Sequence, residues 1–245
     1  FQVATPELTD LLGGPAGFGA VLSVGLLAGA AATAVGGAWA ERRGTPALLR
    51  RSLVLWAASV CVAAATPGRW PLAVALVAAF GLNGLLDVAA NIAATSALSA
   101  RPGRLVQMHA TFNSGGVLGC VLVGVALRVV GPAGWRWVWP LAGLAAVVVA
   151  VAGRAVPDDA VGEHVRLLDG LRALRREGLL PVASAFALGA VAEGGIGTWG
   201  VLHLRRSLDA GLFLGAGGAV LGFAVAAVVR FSVGGVQSSR AARHL

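Results

Sequence analysis

The chain has 245 residues, of which 57% are hydrophobic and only 12% charged, with a formal net charge of +8 and a mean hydropathy of +0.81. A soluble domain carries about a quarter charged residues, so these values exclude an ordinary water-soluble fold and point to a membrane protein. All 19 basic residues are Arg; the absence of Lys excludes a retinal Schiff base. Because the Arg residues cluster between apolar runs, loop topology explains the positive charge better than a nucleic-acid partner does.

No Asp, Glu, Lys or Arg occurs in residues 11–40, 105–127 or 210–229. Each run is long enough to cross a ~30 Å hydrocarbon core as a helix, which needs about 20 residues. A β-barrel is excluded because the runs do not alternate apolar and polar residues. In chain order the expected spans are 14–39, 48–66, 71–98, 105–130, 136–154, 179–204 and 211–236, punctuated by Pro46, Pro67, Pro102, Pro132 and Pro181. The expected fold is an all-α polytopic helical bundle. Residues 1–154 form most of a first helical half, 155–178 a central polar loop, and 179–245 the start of a second half. Within that loop, DGLRALRREG (169–178) has the pattern of a short surface helix.

Arg42, Arg43, Arg50, Arg51, Arg101, Arg104 and the central-loop arginines fall at one set of span ends, whereas Arg69, Arg136, Arg205 and Arg206 fall at the other. The positive-inside rule assigns the rich end to the cytoplasm. The N-terminus is then outside and the C-terminus inside, in a multi-pass protein of the inner cell membrane. An offset of 198 residues lays Gly36-Gly37 onto Gly234-Gly235 and Arg42 onto Arg240, a short internal echo of the kind secondary transporters carry. Cys61 and Cys120 sit in separate apolar runs and no metal-ligand spacing exists, so no metal or cofactor is expected.

Three polar groups break the apolar pattern. Gly37, Glu41, Arg42 and Gly44 form G-A-W-A-E-R-R-G between the first two spans. In the third span Asn83, Asp87, Asn91 and Thr95 recur every four residues and share one helical face; in the fourth, His109 and Asn113 do the same. In the sixth, Glu193 opens E-G-G-I-G-T-W, ending at Trp199. A carboxylate at the middle of a membrane helix costs about 2.5–3.5 kcal/mol on insertion scales. Such stripes should face a wet cavity or one another, since lipid cannot satisfy them; interhelical hydrogen bonding is the plainer use of the Asn residues. The glycines around Glu193 suggest a helix that bends or unwinds there, and a structural ion pair with Arg128 or Arg230 is the alternative. Gly195-Ile-Gly197-Thr-Trp-Gly200 fits a dinucleotide fingerprint, but lies inside a span where that motif has no meaning. The pairs Gly25/Gly29, Gly115/Gly119 and Gly218/Gly222 are candidate close helix contacts.

The first group resembles the G-x-x-x-D-R-x-G signature of the major facilitator superfamily, with Glu41 in place of Asp. The sequences LDVAAN (86–91) and ATFNS (110–114) resemble the fourth- and fifth-helix patterns of its fucose-permease-like branch, with Ala110 where that branch has Gln. The resemblance implies helices two to eight of a twelve-helix carrier, with the first helix and about four later ones outside this sequence. It implies that Gly37, Glu41, Arg42 and Gly44 gate the cytoplasmic side. It further implies a non-enzymatic, monomeric, proton-coupled transporter of a small sugar-like solute, with Asp87, Asn91 and Asn113 along the substrate and proton pathway; helical spacing adds Asn83 and His109 to that pathway, and the run from Glu193 to Trp199, which resembles A-E-G-x-x-x-x-W segments in the seventh helix of sugar-permease-like carriers, adds those two residues. The alternatives are an efflux carrier of the same fold, a heptahelical receptor-like protein, and a truncated membrane protein that transports nothing.

Overall fold

The computed structural model describes residues 1–152, 172 and 174–241. The central loop and its expected surface helix therefore lie mostly outside the described residues. A 3-10 turn at Gln2–Ala4 leads into α1 (Thr5–Leu11), followed by α2 (Pro15–Arg43), α3 (Thr45–Ala65), α4 (Arg69–Leu98), α5 (Pro102–Val130), α6 (Trp135–Ala152), α7 (Leu180–Arg206) and α8 (Leu212–Ala241). Among the described residues, α2 to α8 are seven helices long and apolar enough to cross a membrane. Large apolar side chains such as Leu27, Val74, Val129 and Leu188 stand exposed on the bundle's outer surface. That arrangement suits lipid as the solvent rather than water.

Pro in the first turn starts α1, α2, α3, α5 and α7, where its missing N–H removes no helical bond. The turn between α2 and α3 is a single residue, Gly44, at φ +82°. Only glycine adopts that backbone without a Cβ penalty, so the helix runs through Glu41 and Arg42 and turns in one step. The segment expected as a loop at 40–47 is thus helix on both sides of one corner. The N-terminal residues, expected outside, fold into the 3-10 turn and α1. Val3, Ala4, Thr5 and Leu8 are buried, because they fall on one face of the turn and short helix and dock against the bundle.

Within the first half, α4 packs on both α2 and α3, and α3 on α6; α5 packs chiefly on α8, and α7 on α8 and α1. The α2–α4 crossing is backbone-close. A Cβ on Gly84 would lie 2.2 Å from the Gly29 carbonyl oxygen, and one on Gly25 would lie 2.6 Å from Phe80. Thr33 Oγ1 donates across this crossing to the Gly84 carbonyl at 3.2 Å. Of the expected glycine contacts only Gly25/Gly29 is of this kind. Gly115, Gly119 and Gly222 face open space, and α5–α8 closeness falls instead on Gly116 against Phe223 and Gly234 against Gly103.

The 198-residue echo has a structural counterpart. Cβ atoms on Gly36 and Gly234 would lie 2.5 Å from Val88 of α4 and 2.6 Å from the Gly103 carbonyl oxygen of α5, while Gly37 and Gly235 both face open space. The first glycine of each pair is a helix contact and the second is free.

Packing is uneven along the bundle's length. The main core joins Val3, Leu8, Phe18, Leu72, Trp135 and Val201, with Ala216 and Ala219 of α8, all near the end that bears α1. Among the described residues, the opposite end holds a smaller cluster of Ala40, Leu48 and Ala89.

Candidate functional site

On α4, Gly84 and Ala89 are buried against neighbouring helices, while Asn83 and Asp87 are exposed and Asn91 half-buried. The period-four stripe therefore lies on a face not used for α2 and α3. Asn91 Nδ2 donates to Asp87 Oδ1 at 3.1 Å, the i,i+4 reach of a helix. Among the described residues Asp87 forms no ion pair. Asn83 lines a cavity of about 310 Å³ between α3, α4, α5 and α6, walled by Phe1, Trp56, Phe80, Val123 and Trp139.

Asn113 of α5 is 2% exposed, on the stripe that also buries Ala110, Cys120, Val123 and Leu127. Its Nδ2 has no hydrogen-bond partner among the described residues, and a buried unpaired amide is costly in a low-dielectric interior. His109, one turn earlier, is exposed.

On α7 two expectations change. The helix is unbroken from Leu180 to Arg206, and its glycines keep negative φ. Glycine permits a break but does not impose one while every backbone group has its helical partner. Glu193 is exposed and has no ion pair with Arg128 or Arg230. Trp199 does not stand beside Glu193's face alone. Its ring meets Phe18 of α2 edge-on, with centroids 5.6 Å apart, and a Cβ on Gly19 would lie 3.6 Å from it. The structure thus brings Asp87 and Asn91 together. It leaves Asp87, Asn113 and Glu193 on three helices without a direct bond among the described residues.

The strongest polar cluster is one the sequence patterns did not single out. Arg205, in the last turn of α7, grips Glu7 of α1 with both terminal nitrogens, at 2.8 Å to Oε1 and 3.1 Å to Oε2. Next to it Arg206 pairs with Asp10 and reaches the Pro6 carbonyl at 3.4 Å. The forked geometry is the strong form of a carboxylate–guanidinium contact. Two acids and two arginines at the same end of the bundle were the available signal, but 198 residues separate Glu7 from Arg205. At that same end Arg136 donates to the carbonyls of Ala64 and Thr66 at 2.6 and 2.7 Å, and lies over the Trp135 ring. Arg69 lies over Trp70.

At the other end, Gly37, Glu41 and Arg42 occupy the last two turns of α2, with Gly44 as the corner. Beside them Trp39, Arg50, Arg51 and the end of α6 border a groove of about 600 Å³.

A sequence profile of the Major Facilitator Superfamily matches residues 1–244. No curated protein and no solved structure matches the chain. The profile spans all seven membrane helices and removes the receptor-like alternative. The chain is a multi-pass membrane protein that belongs to the Major Facilitator Superfamily of transporters, and its seven helices are a partial form of that fold.

Proposed function

We propose that the protein moves a small polar, sugar-like solute by alternating access, with proton movement coupled through Asp87. The observation that carries this reading is the lopsided core. Among the described residues, α1, α2, α4, α6, α7 and α8 pack into one core at the end that holds Glu7 and Arg205, while the opposite end has a three-residue cluster. A bundle sealed at one end opens its interior to one side of the membrane, and alternating access needs that asymmetry. The Arg distribution supports placing the open end in the cytoplasm.

Asp87 suits a proton carrier because its carboxylate has an amide partner and no fixed cation among the described residues. A guanidinium in contact would hold it ionised. Asn83, Asn91 and Asn113 offer amide groups of the kind that pair with sugar hydroxyls, and Glu193 supplies a second carboxylate on the opposing half. The resemblance of residues 86–91 and 110–114 to the fucose-permease-like branch supports a sugar-like substrate. Efflux of an apolar compound is the second reading, favoured by the aromatic lining of the Asn83 cavity.

Asp87→Asn tests the coupling role in reconstituted vesicles with an imposed pH gradient. The amide keeps size and the Asn91 contact but cannot carry a proton. Accumulation should be abolished and solute exchange retained, with stability unchanged. A variant that still concentrates solute overturns the role of Asp87 and shifts it to Glu193.

A further inference from the structure

The two ends of the bundle treat their arginines differently. At the sealed end, Arg205 and Arg206 face carboxylates, Arg136 caps two carbonyls and Arg69 lies over an indole. At the other end Arg50 spends only its Nε–H, on the Pro46 carbonyl at 3.4 Å, and Arg51 has no hydrogen bond or ion pair among the described residues. The four N–H groups on the terminal nitrogens of Arg50 remain available, as do all five of Arg51.

These two side chains line a groove of about 600 Å³. On α3 the lining residues are Ala47, Arg50, Arg51, Val54 and Leu55, the i, i+3, i+4, i+7, i+8 face of one helix. Trp39 of α2 forms one wall and Val151 of α6 the other. The arginines lie about 8 Å along α3 from its start at Thr45, close to the depth of a headgroup layer. Val54 and Leu55 are 48% and 51% exposed and continue the groove toward the hydrocarbon. Trp39 has the character of an interfacial aromatic.

We propose that this groove is a binding site for one anionic phospholipid, with its phosphodiester on Arg50 and Arg51 and an acyl chain along Val54, Leu55 and Val151. The charge sits at headgroup depth, the apolar surface begins below it, and basic pockets between membrane helices are suited to such lipids. A soluble phosphate would use the arginines but leave the apolar half of the groove empty. The site does not depend on which solute is carried or on the role of Asp87.

Native mass spectrometry of the detergent-purified protein tests this, with phosphatidylglycerol, phosphatidylcholine and soluble glycerol phosphate as the three probes. The expected result is one tightly retained phosphatidylglycerol, with weaker phosphatidylcholine binding and little competition by glycerol phosphate. Arg50→Gln with Arg51→Gln should weaken retention about 30-fold, at about fivefold per arginine. Arg50→Lys with Arg51→Lys should keep much of it. Arg42→Gln with Arg43→Gln, equal in charge but outside the groove lining, should leave it within about twofold. Equal binding of the two lipids overturns the proposal, as does equal loss in the Arg42/Arg43 and Arg50/Arg51 variants. Displacement by glycerol phosphate at matched concentration reassigns the site to free phosphates. Helical circular dichroism and a monodisperse elution profile, required of each variant, separate loss of the site from loss of the fold.

Discussion

The Glu7–Arg205 pair joins α1, ahead of α2, to the last turn of α7. In the proposed alternating-access cycle, outward opening parts this contact. Glu7→Gln keeps the side chain's size but removes the charge and turns one accepting oxygen into a donor facing a guanidinium. Taking one partner from a fully buried pair costs about 3–5 kcal/mol, and an exposed pair contributes less than about 1 kcal/mol. Glu7 and Arg205 are 10% and 21% exposed, with a forked contact at 2.8 and 3.1 Å. A loss of about 2 kcal/mol follows, which favours the outward-open form by about 30-fold. The assay uses Thr198→Cys in a variant lacking Cys61 and Cys120. Thr198 is buried, one residue before the Trp199 that meets Phe18, so opening should expose it. Labelling by an impermeant maleimide from the side bearing Glu7 should accelerate about 30-fold, as rate follows the open population. Glu7→Arg with Arg205→Glu should restore slow labelling. An unchanged rate in Glu7→Gln, with normal expression, refutes the latch.

Gly84→Ala should destabilise the protein by about 1–3 kcal/mol, the usual range for overpacking, because its Cβ would sit 2.2 Å from the Gly29 carbonyl oxygen; Gly115→Ala, facing open space, should leave thermal stability unchanged in the same melting assay. Arg136→Ala strips two charge-assisted bonds from the Ala64 and Thr66 carbonyls, and a loss of about 2–3 kcal/mol should appear as a lower melting temperature. The expected topology is checked by single cysteines at Arg43 and Pro67: in intact cells an impermeant reagent should label position 67 and not 43.

Membrane physics made much of this fold legible from the chain alone. A span must close its hydrogen bonds within itself and match the hydrocarbon thickness, so composition and length located all seven helices to within a few residues. Helical period likewise placed Asn83, Asp87 and Asn91 on one face, and the Asp87–Asn91 bond is a local consequence of spacing by four. The family resemblance was also legible, since its motifs are contiguous in sequence.

Contacts between helices were a different matter. Gly25/Gly29 and Gly115/Gly119 are the same motif, yet Gly25 and Gly29 meet Phe80 and α4 while Gly115 and Gly119 meet nothing. The difference lies in the facing helix, which the motif does not encode. The contact of Trp199 with Phe18 was equally invisible, since the two rings are far apart in the chain. The Glu7–Arg205 and Asp10–Arg206 pairs were missed for the same reason: each of the four charges reads as an ordinary loop residue until folding sets α1 against the end of α7. Local spacing fixes helices, their depth and the residues each face presents. Which face meets which, and where the main core gathers, depend on side chains distant in sequence that only the packed bundle brings within van der Waals or hydrogen-bond range.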